Sequence, residues 1–257
     1  MGTKVNYSTK NKIGKITLND PNNGNPIDLE VLKELIAALK KSTANQDVVL
    51  LYTAEGKNFT VGANLKTGYE MIKGDSKSAD NLAETFLIWQ EFTSTLLKIP
   101  AITIVGYHGW LVGGGFEHTL LCDFKIAADD TWIMLPELSL GLFYSNASTK
   151  LLPMMIGINK TKELMMLGKK IDAKEAFSLG LVHKVCARED LDMEMEKIAE
   201  RLLKQEPYAL MQAKRFINQS MDSSIEKVLY DEGLMMLHTG KSDETKRRIE
   251  EFIKKHH

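Results

Sequence analysis

The sequence predicts an α/β fold, with a parallel-type sheet core followed by a C-terminal helical region. Val48–Tyr52 is a continuous apolar run, typical of a strand buried on both faces, and Ala101–Tyr107 is predicted to be another buried strand. Between and after them, apolar residues recur at helical spacing. From about Asn146 onward the pattern is almost entirely helical. Strand–helix units therefore come first along the chain, and helices come last.

The first half of the chain alternates strands with helices. Val5, Tyr7, Ile13, Ile16 and Leu18 predict two short strands around a polar turn. The elements predicted next are a loop at Asp20–Pro26, a helix with its apolar face from Val31 to Leu39, the strand Val48–Tyr52 and a loop at Glu55–Asn64. They are followed by a mobile polar connection at Gly68–Asp80, a helix at Leu82–Leu97 and the strand Ala101–Tyr107. A helix start at Phe116–Leu121 and short strands at Phe124–Ala128 and Trp132–Leu135 come last.

The second half is predicted to be helical, apart from one short strand at Leu181–Val185. The predicted helices are Ala147–Ile156, Lys160–Leu167, Ala173–Leu179, Leu191–Lys204, Tyr208–Gln219, Ser223–His238 and Asp243–Lys255.

Charge and cysteine content exclude several classes of protein. The 257 residues carry 33 Lys+Arg and 34 Asp+Glu, whereas a general nucleic-acid or acidic-membrane binder is usually more basic. The two cysteines, Cys122 and Cys186, form no CxxC or Cys/His cluster, so neither a zinc site nor a disulfide scaffold is expected. No apolar signal core begins the sequence, and no stretch approaches the roughly 20 apolar residues of a membrane helix. We therefore expect a cytoplasmic protein without membrane contact.

The loop Phe59–Asn64 follows a buried strand, where α/β proteins place ligands. Gly62 allows the backbone to turn sharply. Ala63 adds little bulk, so its N–H could reach a substrate oxygen. An ordinary tight turn would explain the same residues.

Three glycines, Gly113–Gly115, lie between a strand and a helix. They let the backbone approach a ligand closely, and the helix beyond them offers free N–H groups. The run GGGFE lacks the GxGxxG spacing of a dinucleotide site, and no GKS or GKT marks a P-loop. A turn that stabilises an oxyanion fits better, and a turn that only packs a helix is the alternative.

Two carboxylates, Glu117 and Glu137, are flanked by apolar residues. A carboxylate in such a setting has a raised pKa, which suits it to proton transfer near neutral pH, and two of them can divide acid and base roles. The alternative is that both are solvated surface acids. His108 and His118 lie near the glycines, and we expect structural roles for both.

Together these motifs resemble the crotonase superfamily (enoyl-CoA hydratase/isomerase) over nearly the whole chain. The matching stretches, in order, are Ile16–Pro21, Phe59–Lys66 (FTVGANLK against FxxGADLK), Gly113–Glu117 with Leu121–Asp123, Pro136–Gly141, Asp172–Ala176 with Gly180–Val182, and Ser242–Glu244 with Phe252 and Lys254.

The resemblance implies a crotonase-like spiral of ββα units with a C-terminal helical trimerisation region. The expected division is residues 1–195 for the core with the acyl-CoA site, and residues 196–257 for the helical region, which also contributes to the coenzyme A pocket. A homo-oligomer, either a trimer or a dimer of trimers, is implied, with an acyl-CoA substrate. The near-neutral charge, not the resemblance, predicts that there is no nucleic-acid partner. No cofactor or metal is expected, because the substrate is itself carried as a coenzyme A thioester.

Site residues follow from the same resemblance. The backbone N–H groups of Ala63 and Gly114 would polarise the thioester carbonyl. Glu117 would act as base on the attacking water, and Glu137 would supply the proton to the α-carbon. The product of a trans-2-enoyl-CoA would be a 3-hydroxyacyl-CoA. The substrate-binding residues implied are Gly62, Asn64, Lys66, Gly113, Ser145 and Asn146, with Lys66 near the coenzyme A phosphates or simply solvated.

The sequence departs from the family pattern in two places. Asn64 replaces an aspartate, and we expect its side chain to cap or brace the loop. After Gly141 the glycine-rich PGxGG stretch of typical hydratases is replaced by Phe143–Ser148, which has no glycine. Ser145 and Asn146 therefore bring side chains to a place where room is usual, and we expect them to contact a polar acyl group.

Several functions stay open at this point. An enoyl-CoA isomerase would need only one carboxylate, most simply Glu137, to move a double bond from the 3- to the 2-position. A C–C or thioester hydrolase could use the same scaffold. A catalytically inactive acyl-CoA binder would need neither glutamate, and RNA binding is disfavoured by the near-neutral charge.

Overall fold

The computed structural model describes residues 3–73 and 76–256, with side chains described for all of these except 71, 72 and 76–82. The strands are β1 Val5–Lys10, β2 Ile13–Leu18, β3 Val49–Ala54, β4 Ile102–Tyr107, β5 Trp110–Val112, β6 Phe124–Ala128, β7 Trp132–Met134, β8 Ile171–Asp172 and β9 Lys184–Cys186. The α-helices are α1 Leu29–Ala44, α2 Leu65–Lys73, α3 Ser76–Lys98, α4 Gly114–Glu117, α5 Ser148–Met166, α6 Ala173–Ser178, α7 Leu191–Leu203, α8 Pro207–Ser220, α9 Ile225–Gly240 and α10 Asp243–His256.

The larger sheet has six strands in the order β1-β2-β3-β4-β6-β9. Only the β1–β2 hairpin is antiparallel, and the other four pairs are parallel. All six residues of β4 are buried, as are the first five of β3. This burial explains why both strands are rich in apolar residues.

Helix α1 begins where its sequence provides a cap. The side chain of Asp28 accepts a hydrogen bond from the Val31 N–H at 3.0 Å, which satisfies one of the free donors of the first turn. Its buried face, with Leu32, Leu35 and Leu39 at helical spacing, packs into the core.

The smaller sheet, β5-β7-β8, determines where the chain turns toward a possible site. Strands β5 and β7 are parallel, with Val112 opposite Met134, so the chain leaves both strands at the same edge. The glycine run follows β5, and Glu137 follows β7. A hydrogen bond of 2.9 Å from the Gly113 N–H to the Met134 carbonyl joins the two exits.

A third segment joins this edge through a bridge between Thr60 and Leu111. A Cβ built on Gly115 would lie 2.4 Å from Cγ2 of Thr60 and 3.2 Å from Cα of Gly62. Only a residue without a side chain therefore fits between the 60–62 backbone and the start of α4.

The chain divides into two compact units, one ending at Ala199 and one starting at Glu200. The second unit consists of the last turn of α7 and helices α8 to α10. Every residue of α9 is described and none is buried. Six of its large apolar side chains are more than half exposed, namely Ile225, Leu229, Tyr230, Leu234, Met236 and Leu237.

Most predicted elements are confirmed, including the first hairpin, the buried strands and the late helices. The predicted helices Ala147–Ile156 and Lys160–Leu167 form one stretch, α5, that is interrupted at Gly157 with φ 76°. The strand predicted at Leu181–Val185 lies later, at Lys184–Cys186, because Leu181 and Val182 are buried in the turn that precedes it.

The mobile connection predicted at Gly68–Asp80 is wrong for the described residues. Helix α2 covers its first part and α3 begins at Ser76; residues 74 and 75 lie outside the described residues. A polar composition is compatible with a solvent-exposed helix, so polarity alone was a poor guide to a loop. Strands β5, with three residues, and β8, with two, were not predicted. Each is too short to show an alternation of apolar and polar residues.

Across the described ranges, no helix combines the length with the apolar character that crossing a membrane requires.

We predict that Gly115→Ala destabilises the protein by about 1–3 kcal/mol, the usual cost of forcing an extra methyl group into a packed site. Gly68→Ala is the matched control, because a Cβ built there meets nothing within 4 Å. Urea unfolding of both variants is the measurement. Equal stability of Gly115→Ala and Gly68→Ala would contradict the close approach of the two segments.

Candidate active site

A cavity of about 640 Å³ lies at the edge where β5 and β7 end. Its lining is mostly apolar, and its polar side chains are few. The larger apolar side chains that line it are Val61, Leu65, Phe86, Trp89, Leu140, Leu142 and Phe143. The residues predicted from the sequence that line it are Gly62, Ala63, Gly113, Gly114, Glu117, Glu137 and Ser145.

The loop with Ala63 is held by both backbone and side-chain bonds. The Thr60 N–H donates to the Trp110 carbonyl at 3.1 Å, and the Val112 N–H donates to the Thr60 carbonyl at 3.2 Å. The Thr60 hydroxyl donates to the Asn25 carbonyl at 2.6 Å and accepts from the Gly62 N–H at 3.1 Å. These bonds fix the turn that brings Ala63 to the cavity lining.

The glycine run turns on Gly113, whose φ is 52°. Its carbonyl accepts hydrogen bonds from the N–H groups of Phe116 and Glu117, which start the short helix α4. A Cβ built on Gly113 would lie 2.3 Å from Oε1 of Glu137. The carboxyl group of Glu137 therefore rests directly against the glycine backbone, in a space that any side chain at position 113 would occupy.

Glu117 is only 1% exposed. Its Oε2 accepts two hydrogen bonds, from the Ser145 N–H at 2.6 Å and from the Ser148 hydroxyl at 2.5 Å. Both donors stabilise the ionised carboxylate, but burial opposes ionisation more strongly. Burial, together with the neighbouring carboxyl group of Glu137, raises the pKa of Glu117 to about 8.

Glu137 is 8% exposed, and its Oε2 is buried without a hydrogen-bond donor among the described residues. Burial raises the pKa of Glu137, while hydrogen bonds that include the backbone N–H of Gly114 partly oppose the rise. Because the two carboxyl groups lie within hydrogen-bonding reach of each other, they titrate as a pair. The raised pKa values favour a pair that shares a proton over one in which both groups are ionised.

Three predicted substrate-binding residues lie outside the cavity lining. Asn64 caps α2, since its Oδ1 accepts from the Thr67 N–H at 3.2 Å, which is the bracing expected from the sequence. Lys66 is exposed on α2. Asn146 is buried, and its side chain joins two neighbours: Thr93 donates to its Oδ1 at 2.6 Å, and its Nδ2 donates to Ser145 Oγ at 2.7 Å.

Neither histidine lines the cavity. His118 is fully buried, and burial lowers its pKa to about 4, so the ring is neutral. Its Nδ1 donates to the Gly114 carbonyl at 3.0 Å, because a carbonyl can only accept, and its Nε2 therefore accepts from the Tyr52 hydroxyl at 3.0 Å. His108 lies beside a separate small cavity. The geometry of His118 fits the structural role predicted for it.

Sequence reasoning missed the residues that complete this site. Trp89 forms a wall, with its ring 3.5 Å from a Cβ built on Gly114. Ser148 binds the Glu117 carboxylate. The segment Phe143–Ser148 has no glycine, which indicated that its side chains lie near the proposed proton donor. This was the feature of the sequence from which Ser148 could have been predicted. Nothing in the sequence signalled Trp89, which reaches the site from α3.

The chain is similar in sequence to a known family of proteins. The sequence profile of a family described as enoyl-CoA hydratase/isomerase matches residues 8–257. A Bacillus subtilis protein, provisionally named enoyl-CoA hydratase/isomerase YngF, is 32% identical over 228 residues, which cover 88% of this chain and 85% of that protein.

Two solved structures share the fold. One from Mycobacterium abscessus, provisionally named enoyl-CoA hydratase/isomerase, has a TM-score of 0.91 and 26% identity, covering 98% of this chain and 96% of that one. One from Thermobifida fusca, provisionally named enoyl-CoA hydratase and solved in complex with acetoacetyl-CoA, has a TM-score of 0.84 and 24% identity, covering 92% and 94%.

We predict that the free energy of unfolding falls as pH rises from 5 to 8, in part because of Glu117. A pKa raised to about 8 means that the folded state binds more protons than the unfolded state in this interval. The stabilisation is complete below the unfolded pKa near 4.5 and is lost as pH rises through the folded pKa. Urea unfolding across this pH range should show a flatter profile for Glu117→Gln.

Glu163→Gln is the control. Hydrogen bonds from Lys160 and Lys169 lower the pKa of Glu163 to about 2, so this group titrates outside the interval. The wild-type slope should persist in Glu163→Gln. A wild-type slope that survives in Glu117→Gln as well would show that the pKa of Glu117 is not raised in the folded state.

Proposed function

The chain belongs to the enoyl-CoA hydratase/isomerase family, and on that premise we propose that it hydrates a trans-2-enoyl-CoA to a 3-hydroxyacyl-CoA. The family and the crotonase-type fold expected from the sequence are confirmed, and the protein is an enzyme of hydratase or isomerase type. We favour hydration over isomerisation because two buried carboxyl groups, those of Glu117 and Glu137, lie beside the glycine turn.

The proposed oxyanion donors are the backbone N–H groups of Ala63 and Gly114. Both residues line the cavity and lie on separate turns that are held close together by the Thr60–Leu111 bridge. As negative charge develops on it, a substrate thioester oxygen placed between them would receive one hydrogen bond from Ala63 and one from Gly114, whose N–H it would share with the Glu137 carboxyl group. Donors fixed before the reaction stabilise that charge without reorganisation.

The proposed proton transfers leave the pair in balance. Glu117 removes a proton from water as the water oxygen bonds to C3, and Glu137 delivers its proton to C2 as the double bond is lost. The pair holds one proton before addition and one afterwards, with the acid and base roles exchanged. The raised pKa values of both groups support such a pair, because two strongly acidic carboxylates would hold no proton to give.

The cavity wall supports an apolar acyl group as the substrate. Leu65, Phe86 and Trp89 form one part of the lining and Leu142 and Phe143 another. A volume of about 640 Å³ exceeds the needs of a four-carbon acyl group. Ser145 is the polar exception, and it would contact an oxygen on the acyl group where one is present.

A double-bond isomerase is the second candidate, and the bonds of Glu117 favour it. Because Oε2 of Glu117 already accepts two donors, only its other oxygen is left for a water molecule. The Oε2 of Glu137 has no donor among the described residues. Glu137 alone could then carry a proton between C2 and C4 of a 3-enoyl-CoA.

Further parts of the proposal concern binding and assembly. The acetoacetyl-CoA complex of the Thermobifida fusca structure supports coenzyme A as the carrier for this chain. Lys66, exposed on α2, would meet its phosphates. The exposed apolar side chains of α9 support a homo-oligomer, either a trimer or a dimer of trimers. Proton transfer and addition of water need only carboxyl groups, so the proposed reaction uses no metal or redox cofactor.

We predict that the wild type hydrates crotonyl-CoA and longer 2-enoyl-CoA esters. Glu117→Gln and Glu137→Gln should each lower kcat by about 10²–10⁴-fold, the usual contribution of a general acid or base. Loss of the conjugated-enoyl absorbance and the mass of the product are the measurements. Glu163→Gln, a change on the exposed face of α5, is the control.

The outcome separates the two candidates. Hydration that survives in Glu137→Gln would contradict the role of Glu137 as the proton donor. If the wild type leaves 2-enoyl esters unchanged but converts a 3-enoyl-CoA to its 2-isomer, the proposed hydration is wrong and isomerisation replaces it.

A further inference from the structure

A hydroxyl group holds one oxygen of the Glu117 carboxylate. Ser148 is fully buried at the start of α5, and its Oγ lies 2.5 Å from Oε2 of Glu117. We propose that Ser148 is a positioning residue that keeps this oxygen unprotonated and so directs the shared proton to the side of the pair that faces the substrate.

The argument begins with the number of donors. Oε2 of Glu117 receives the Ser148 O–H and the Ser145 N–H together. A carboxylate oxygen has two lone pairs in its plane, so both are used and none is left to carry a proton. The proton of the pair must then lie on Oε1 of Glu117 or on Glu137.

The backbone around these donors is strained. Asn146 and Ala147 both have left-handed backbone angles, with φ 53° and 58°, and neither is glycine. Such angles are unfavourable for residues with a Cβ and persist only where the surroundings hold them. Here Thr93 and Ser145 bond both ends of the Asn146 side chain. The strained turn places the Ser145 N–H and the Ser148 hydroxyl on the same oxygen.

Among the described residues, two other titratable groups interact electrostatically with Glu117. One is Glu137, its partner in the pair. The other is Tyr144, where burial and then the charges of Glu137 and Glu117 raise the pKa to about 12, so the phenol stays neutral at ordinary pH. A change in the ionisation of Glu117 on altering Ser148 can therefore be read without interference from Tyr144.

The test measures the pKa of Glu117 directly. Protein labelled with ¹³C at the glutamate side-chain carboxyl is titrated by NMR, with Glu117→Gln to assign the resonance. Ser148→Ala should raise the pKa of Glu117 by about one unit, a tenfold change in its ionisation constant, because a hydrogen bond to the charged form is lost. Ser148→Thr, which keeps a hydroxyl, should restore most of the wild-type value.

Ser178→Ala is the matched control, since it removes an exposed hydroxyl on α6 that bonds the Glu175 carbonyl, away from the pair. It should leave the pKa of Glu117 unchanged. If Ser148→Ala also leaves this pKa unchanged, Ser148 only fills space and the proposal is overturned. If Ser148→Ala does not fold, Ser148→Thr is compared with Ser148→Cys, because a thiol is a much weaker donor than a hydroxyl. The pKa of Glu117 should keep its wild-type value in Ser148→Thr and be shifted in Ser148→Cys. Equal pKa values in the two variants would overturn the proposal.

A second readout rests on the proposed hydration. The low-pH limb of kcat, which reports ionisation of the base, should move to higher pH in Ser148→Ala and return in Ser148→Thr. The NMR titration needs no turnover. A shifted pKa in a protein that does not hydrate 2-enoyl esters would therefore refute hydration while leaving the positioning role intact.

Discussion

Two carboxyl groups buried side by side cannot both be ionised at low cost. Glu117 and Glu137 lie in an apolar cavity at the ends of two parallel strands, and burial raises the pKa of each. The least costly arrangement near neutral pH is one proton shared by the pair. The surrounding structure holds that pair together and determines which carboxyl oxygen carries the proton.

Backbone geometry makes the pair possible. Strands β5 and β7 end together, so the residues after them meet without a long loop. Gly113 lets the Glu137 carboxyl group rest on the backbone, and Gly115 lets the loop with Ala63 approach from the other side. The same close approach that brings Glu137 to the glycine turn also brings Ala63 and Gly114 to the cavity lining. The acid–base groups and the oxyanion donors that we propose thus depend on one set of contacts.

The sequence predicted much of this arrangement, because the residues concerned obey local rules. Buried parallel strands leave apolar runs, and a glycine run between a strand and a helix marks a close backbone approach.

Other features depend on contacts between distant segments. Asn146 lies next to Ser145 in the chain yet turns away from the cavity to bond Thr93 on α3. Ser148 reaches Glu117 across 31 positions, and Trp89 enters from a helix whose polar start resembled a loop. Such pairings have no short-range signature.

The central claim is that the pair carries a single proton at neutral pH and that Oε2 of Glu117 does not hold it. Neutron diffraction from crystals of the deuterium-exchanged protein at pH 7 tests this most directly. The account predicts one deuteron on the two carboxyl groups together, with the deuterons of Ser148 Oγ and Ser145 N both directed at Oε2 of Glu117. A pair without any deuteron, or a deuteron on Oε2 itself, would contradict it.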